Sequence, residues 1–444
     1  MTPSGLPAIS LFSNCGAGDL GYSRAGFEFD VMAELDPRRL SIAGLNLPDA
    51  VTVPGDLRET WSRVVGRYKE RRGSTPPALL AACPPCQGMS SVRSGRGRED
   101  DPDAGSRDAR NLLVGVIAKV THALAPRIVV VENVPAFLTR VVRHPKTGTP
   151  VSAAVLLARS LRQRYYLTPL IIDLADYGVP QTRRRAFLCF VRRDEAGASA
   201  FAERGRGPFP RPTHVPEYGG EHMTLRQALK ELNPGPLDAA SAEAAGTGMH
   251  AVPVWDAERY TMVAAIAKNS GAGAWQNDDC ISCGEPAPED AATCAACGAR
   301  LARPIVEDPA GTMRLVRGFR TSSYTRMYPD RPAATVTTAS GHTGSDRTLH
   351  PWENRVLSPL ECALLQTFPA SFKWGDALKR WGHSNVRAMI GEAVPPLFTQ
   401  KHGRVLAHLL RGIPPRLALS AQDQRVAAAQ RALERSSRVL ADQA

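Results

Sequence analysis

The sequence predicts an α/β protein built on a doubly wound, mostly parallel sheet, with a smaller second domain, and three observations predict it. Short Val, Ile, Leu and Ala runs alternate with helix-period stretches across residues 1–205, the pattern of a parallel sheet covered on both faces. The conspicuous polar clusters fall just beyond the carboxyl ends of those runs, where open α/β sheets place their ligands. The periodicity lapses into Gly-, Pro- and polar-rich chain over 206–350 and resumes at 351, so a loop-rich domain is expected to interrupt the core.

The elements follow in order. Residues 8–12 (Ala-Ile-Ser-Leu-Phe) read as a buried strand, followed by a small-residue loop and a helix near 19–25. A second strand at 31–34 ends in Glu34, and a helix then begins near Pro37. A short strand at 51–53 precedes a helix over 57–69, and 78–81 is the next strand. A helix over 111–124 leads to Arg-Ile-Val-Val-Val at 127–131, the clearest strand in the chain, and further strands are expected at 165–174 and 186–191. Residues 351–412 are expected to return and complete the core. The Ala/Arg/Gln stretch at 413–444 reads as a terminal helix packed by Leu417, Val426, Leu433 and Leu440, with a partner-binding role as the alternative.

At 444 residues the chain has room for a large core and a smaller domain. It shows neither a membrane-length apolar run nor a signal-peptide start, so a soluble, cytoplasmic protein is expected. A net charge of +12 suits a polyanionic partner, although the dominance of Arg over Lys, with abundant Ala, Gly and Pro, also suits a GC-rich genome. Nine cysteines without a secretion signal point to thiol chemistry or metal binding rather than disulfides.

Five motifs occur once each and in order: Phe12-Ser13-Asn14-Cys15-Gly16, Pro84-Pro85-Cys86-Gln87, Glu132-Asn133-Val134, Gln181-Thr182-Arg183-Arg184-Arg185 and Gly391-Glu392-Ala393-Val394. Together they resemble the DNA (cytosine-5)-methyltransferase family of the bacterial restriction-modification and phage-defence type. The likeness covers about 1–205 and 315–412, including the segment from Arg355 to Pro369 by which that family returns from its recognition domain. It implies a Rossmann-like class I methyltransferase core, S-adenosylmethionine as methyl donor, a cytosine flipped out of double-stranded DNA, and a mobile loop after the cysteine, here 87–107. A cognate restriction or defence nuclease is an implied partner.

The chemistry needs these residue types. Carbon 5 of cytosine is too weak a nucleophile to attack a sulfonium methyl, and a thiolate adding at carbon 6 activates it. Cys86 fits that role; the Cys83-Pro84-Pro85-Cys86 spacing also suits a redox or metal pair, a reading weakened by Glu-Asn-Val downstream. Addition requires charge relief at ring N3, for which Glu132 is the candidate, with Asn133 holding the loop. Arg183 and Arg185, two apart and on one face if the segment is extended, are expected at the base or a neighbouring phosphate. The resemblance assigns Phe12 to stacking on adenine, Asn14 and Gly16 to the donor loop, Glu34 to ribose hydroxyls, Asp56 to the adenine amino group and Glu392 to the last donor contact. Helix capping is the alternative for Asp56. The family usually has Asp at position 10, Gly at 14 and Asn at 392, where this chain has Ser10, Asn14 and Glu392. Asn is the next best residue for a left-handed turn.

One cluster stands apart. Cys280, Cys283, Cys294 and Cys297, with Gly284 and Gly298 after each pair, have structural-zinc spacing. Acids outnumber bases between Trp275 and Asp308, so this insert, about 275–308, is expected to staple the loop-rich domain rather than face phosphate. DNA contacts are expected instead from Arg314, Arg317, Arg320, Arg326, Arg331 and Arg347, interleaved with Phe319, Tyr324 and Tyr328. An RNA cytosine-5 methyltransferase and a catalytically silent DNA-binding regulator are the rival functions.

Overall fold

The computed structural model describes residues 5–85, 112–139, 141–143, 148, 150–318 and 322–441. A seven-stranded sheet in the order β3-β2-β1-β4-β5-β9-β8 forms the centre. Its strands are β1 (Leu6–Leu11), β2 (Phe27–Glu34), β3 (Val51–Pro54), β4 (Leu79–Ala82), β5 (Ile128–Asn133), β8 (Tyr165–Asp173) and β9 (Arg184–Arg192). A short hairpin, β6 (Val141–Arg143) and β7 (Pro150–Ser152), lies outside it. All seven strands run parallel except β9, which is antiparallel to β5 and β8. Strands β4 and β5 are buried along their whole length, which is why they read as unbroken apolar runs.

Helices cover both faces. On one side α3 (Leu57–Arg72), α4 (Val114–Leu124) and α5 (Ala153–Leu161) bring Val64, Tyr68, Ile117, Val120 and Leu157 onto the sheet. On the other, α1 (Ala17–Ser23), α2 (Pro37–Asn46) and the late helix α11 (Pro396–Leu410) supply Tyr22, Leu40, Phe398 and Leu406. Pro37 opens α2 at its first position and Asp36 caps it, as a missing N–H and a short acceptor allow there.

After α6 (Ala196–Glu203) the elements become short. They include β10 (Arg206–Pro210), α7 (Leu225–Leu232), the hairpins β11 (Gly246–Thr247) with β12 (His250–Ala251) and β13 (Ile305–Glu307) with β14 (Met313–Leu315), and α8 (Ala257–Ala264). The chain returns through α9 (Pro359–Leu365), α10 (Ala377–Glu392), broken at Gly382, and α11. Strand β15 (Ala418–Ser420) pairs with β10, and α12 (Gln424–Ala441) follows. The terminal helix packs on β8. Val426, Ala429 and Ala432 are buried and Leu433 is partly so, whereas Leu417 is exposed; the side chain of Leu440 lies outside the described residues. Among the described residues no helix is long and apolar enough to cross a membrane.

Candidate active site

Strand order reverses between β1 and β4, and a cavity opens there beyond the carboxyl ends of the strands. Its empty space is about 500 Å³, including space open to solvent. Its walls come from the loop after β1, the ends of β4 and β5, and the segment joining α10 to α11. Phe12, Asn14, Glu132 and Glu392 line it, and so do Cys83, named above only in the redox or metal alternative, and Asp19, which no motif contains.

The loop after β1 is held in an unusual conformation. Phe12, Asn14 and Gly16 all have positive φ, at 58°, 49° and 77°. Asn14 adopts the left-handed turn that its residue type allows. Its backbone N–H donates to Glu34 Oε2 at 2.8 Å, and its side-chain Nδ2 donates to the Met389 carbonyl at 2.9 Å, tying the loop to α10. Gly16 serves packing: a Cβ there would sit 3.1 Å from Ala43 of α2, so the close approach it permits is to a helix.

Glu34 is nearly buried and already accepts from the N–H groups of Asn14, Leu35 and Asp36. Burial pushes its carboxyl up, and these backbone donors work against the rise. Asp56 caps α3, accepting from Arg58 N at 2.8 Å and pairing with the Arg58 guanidinium. It is not among the cavity-lining residues. Glu392 lines the cavity and pairs with Arg39 of α2.

At the end of β5 the structure brings Glu132, Cys83 and Arg185 together. Glu132 is 6% exposed. Its Oε1 meets Arg185 Nε at 2.8 Å and its Oε2 accepts the Cys83 thiol at 2.7 Å. Asn133 donates from Nδ2 to the Pro84 carbonyl at 3.0 Å, while its Oδ1 accepts from Val134 N. The loop that leads to Cys86 is thereby fastened to the strand that carries Glu132. Cys86 itself, and residues 87–107, lie outside the described residues.

Arg183 and Arg185 meet different partners. Arg183 is 1% exposed and donates to the carbonyls of Val336, Gly391 and Ala393. Arg183 lies just before β9 and its side chain runs to the return segment, whereas Arg185, inside the strand, meets Glu132. Gln181 works beside it, donating to Leu365 O at 2.7 Å and accepting from Val336 N at 3.0 Å, and Gln366 donates to Ile390 O at 2.6 Å. Buried polar side chains thus stitch the returning segment into the cavity wall. The sequence signal for Gln181 and Arg183 was their place in the Gln-Thr-Arg motif, and for Gln366 its place in the return segment.

The four cysteines of the insert converge: all four Sγ atoms lie within 4.8 Å of one another. Cys280 Sγ to Cys297 Sγ is 3.7 Å and Cys283 Sγ to Cys294 Sγ is 3.6 Å, close to the about 3.8 Å edge of a tetrahedron with 2.3 Å metal–sulfur bonds. The two knuckles repeat: Gly284 N donates to Cys280 O and Gly298 N to Cys294 O, with φ of 79° and 74° at the glycines. Arg303, buried, donates to backbone carbonyls and to Asp278 within the insert, and Arg300 pairs with Glu258 of α8, so both bases of the insert are engaged by the protein itself.

Of the expected DNA-facing residues, Arg314, Arg317 and Arg331 are exposed. Arg331 and Arg347 lie over the Tyr328 ring at 4.6 and 5.2 Å. Arg326 is a correction. It is fully buried and bonded to carbonyls of Val263, Ile266, His350 and Glu353, because its bridge partner Leu349 faces the domain's own core. Phe319 and Arg320 lie outside the described residues.

A sequence model of the C-5 cytosine-specific DNA methylase family matches residues 6–408. The Type II methyltransferase M1.HgaI of Avibacterium volantium is 26% identical over 405 residues, covering 89% of this chain and 96% of its own. The Type II methyltransferase M1.HphI of Haemophilus parahaemolyticus is 27% identical over 401 residues, covering 89% and 85%. A prophage-encoded protein of E. coli, described as a DNA modification methyltransferase, has a similar fold, with a TM-score of 0.52 at 20% identity over 92% of this chain and all of that one.

Proposed function

The chain belongs to the C-5 cytosine-specific DNA methylase family, and from that premise we propose that it methylates carbon 5 of a cytosine in double-stranded DNA at a specific sequence. S-adenosylmethionine, the family's methyl donor, supplies the transferred group. The observation that carries the reading is the placement of Glu132 in the wall of the cavity shaped by the loop after β1, held between Cys83 and Arg185.

In this mechanism the cytosine is flipped out of the duplex. The Cys86 thiolate adds to carbon 6, Glu132 shares a proton at N3, and electron density at carbon 5 takes the methyl group. Loss of the carbon-5 proton and departure of Cys86 restore the ring. Arg185 orients Glu132. Phe12, Asn14, Glu34 and Glu392 are assigned to donor binding. Asp56 is assigned to its helix cap and Arg183 to holding the return segment, in place of the adenine and base contacts expected of them.

The four insert cysteines would hold one structural zinc, supported by their near-tetrahedral spacing. The proposed boundaries are a core at 1–205 completed by 351–412, a target-recognition domain at 206–350 and a helical tail at 413–444. The cellular role is marking of host DNA in the cytoplasm beside a cognate restriction or defence nuclease.

Incubation with S-adenosylmethionine and duplexes carrying 5-fluorocytosine, which blocks the final elimination, should trap a denaturant-stable adduct that Cys86→Ser cannot form. Bisulfite sequencing of DNA from expressing cells should then reveal methylated cytosines in one sequence context. No adduct on any duplex, with adduct on RNA, would move the activity to RNA; no adduct on either would favour the silent regulator.

A further inference from the structure

We infer that Asp19 and Asn14 form an acceptor site for the cationic amino group at the amino-acid end of the methyl donor. The inference rests on reading the cavity as the donor site and assigns to its wall a residue, Asp19, that none of the five motifs contains.

Two cavity-lining side-chain atoms are buried without a partner among the described residues, Asn14 Oδ1 and Asp19 Oδ2. The orientation of the Asn14 amide is set by its Nδ2 bond to the Met389 carbonyl, which leaves the oxygen unused. Asp19 is 5% exposed on the first turn of α1. A buried acceptor left bare is costly, and a buried carboxylate more so. Both atoms are acceptors once Asp19 is ionised, so the group that completes them brings hydrogen-bond donors, and one that also carries positive charge offsets the buried carboxylate.

Within S-adenosylmethionine that description fits one group. The sulfonium is cationic but has no N–H, and the adenine amino group has N–H but no charge. The ribose hydroxyls are neutral, and Glu34 is the acid assigned to them. The ammonium offers three donors and a full charge.

The Asp19 carboxyl also carries a pH signature. Burial pushes it up to about 7, with the Ser10 hydroxyl bond opposing the rise. The groups around it are Cys15 and Tyr22 on its own segment, Cys83 and the Arg185-paired Glu132 across the cavity, Arg39-paired Glu392, and His402 behind Tyr22. Burial moves Cys15 up to about 12, Tyr22 well above its usual range and His402 down to about 3.

The test is calorimetric binding of two probes to the full chain. S-adenosylhomocysteine keeps the ammonium, and 5′-methylthioadenosine lacks the amino-acid end. Asp19→Asn should weaken the first by about tenfold or more and leave the second within about twofold. Wild-type affinity for S-adenosylhomocysteine should rise between about pH 6 and about pH 8, as an acid of pKa near 7 ionises, and the variant should lack that rise. Equal loss for both probes, no loss for either, or a flat wild-type profile would overturn the inference. If wild type binds neither probe, the donor-site reading itself fails.

Discussion

Replacing Arg183 by alanine should unfasten the cavity wall while leaving the reacting groups in place. The guanidinium is buried and donates to Val336 O at 3.1 Å, Gly391 O at 2.9 Å and Ala393 O at 3.0 Å. A bond from a charged donor contributes about 1.5–3 kcal/mol, and a buried acceptor left bare costs about 1–3 kcal/mol. The three bonds share one donor group and do not add fully, so the expected loss is about 3–5 kcal/mol. That is large against the roughly 5–15 kcal/mol that holds a typical domain. Arg183→Lys, with one compact ammonium and no fork, should lose about half as much. The measurements are the urea midpoint, S-adenosylhomocysteine affinity and the single-turnover methylation rate at saturating donor and DNA. Gly391 and Ala393 flank Glu392 on the cavity wall, so affinity should fall with stability while the saturated rate holds within a few-fold. Arg185→Ala is the counter-case: its contact is Glu132, and the rate should drop by about a hundredfold or more. An Arg183→Ala protein with an unchanged midpoint and a strongly reduced saturated rate would refute the division and return Arg183 to the base.

Two further outcomes follow from the geometry. Cys280→Ser with Cys283→Ser should remove one equivalent of zinc, measured by metal analysis, and abolish sequence-specific DNA binding with S-adenosylhomocysteine affinity retained, since the knuckles' own core holds only Cys280, Cys294 and Leu301 fully buried; zinc-free wild type would end the idea. The ligand-free protein should lose stability as pH rises, because Asp19 has a folded pKa of about 7 against an ordinary 3.8, so the folded state holds the extra proton between those values. The contribution is fully present below about pH 4 and lost as pH passes 7, at most about 4 kcal/mol; Asp19→Asn should therefore melt higher than wild type at pH 8, and a lower melting temperature there would contradict the assignment.

Much of the architecture was legible because local pattern and burial agree in a parallel sheet. The runs at 8–12, 31–34, 78–81 and 127–131 became β1, β2, β4 and β5, each within a few residues. The cysteine insert was legible for a similar reason: paired Cys-x-x-Cys-Gly units repeat the same local turn. The buried contacts of Arg183 and Arg326 were not legible, because an arginine's sequence neighbours do not reveal which carbonyls a distant segment will offer it. Asp56 was ambiguous for a related reason, since a helix cap and a ligand acceptor ask for the same side chain.

The sequence by itself determined the order of strands and helices, the motifs' place beyond the carboxyl ends of the strands and the residue types available there, because these depend on periodicity and on motifs only a few residues long. Only the tertiary structure decided what each polar side chain does. Glu132 meets Arg185 and Cys83, Arg183 clasps Gly391 and Ala393, and Asp19 and Asn14 keep open acceptors among the described residues. Those outcomes rest on contacts between segments up to 375 residues apart, where a buried polar group must find its partner from whatever backbone the fold brings near.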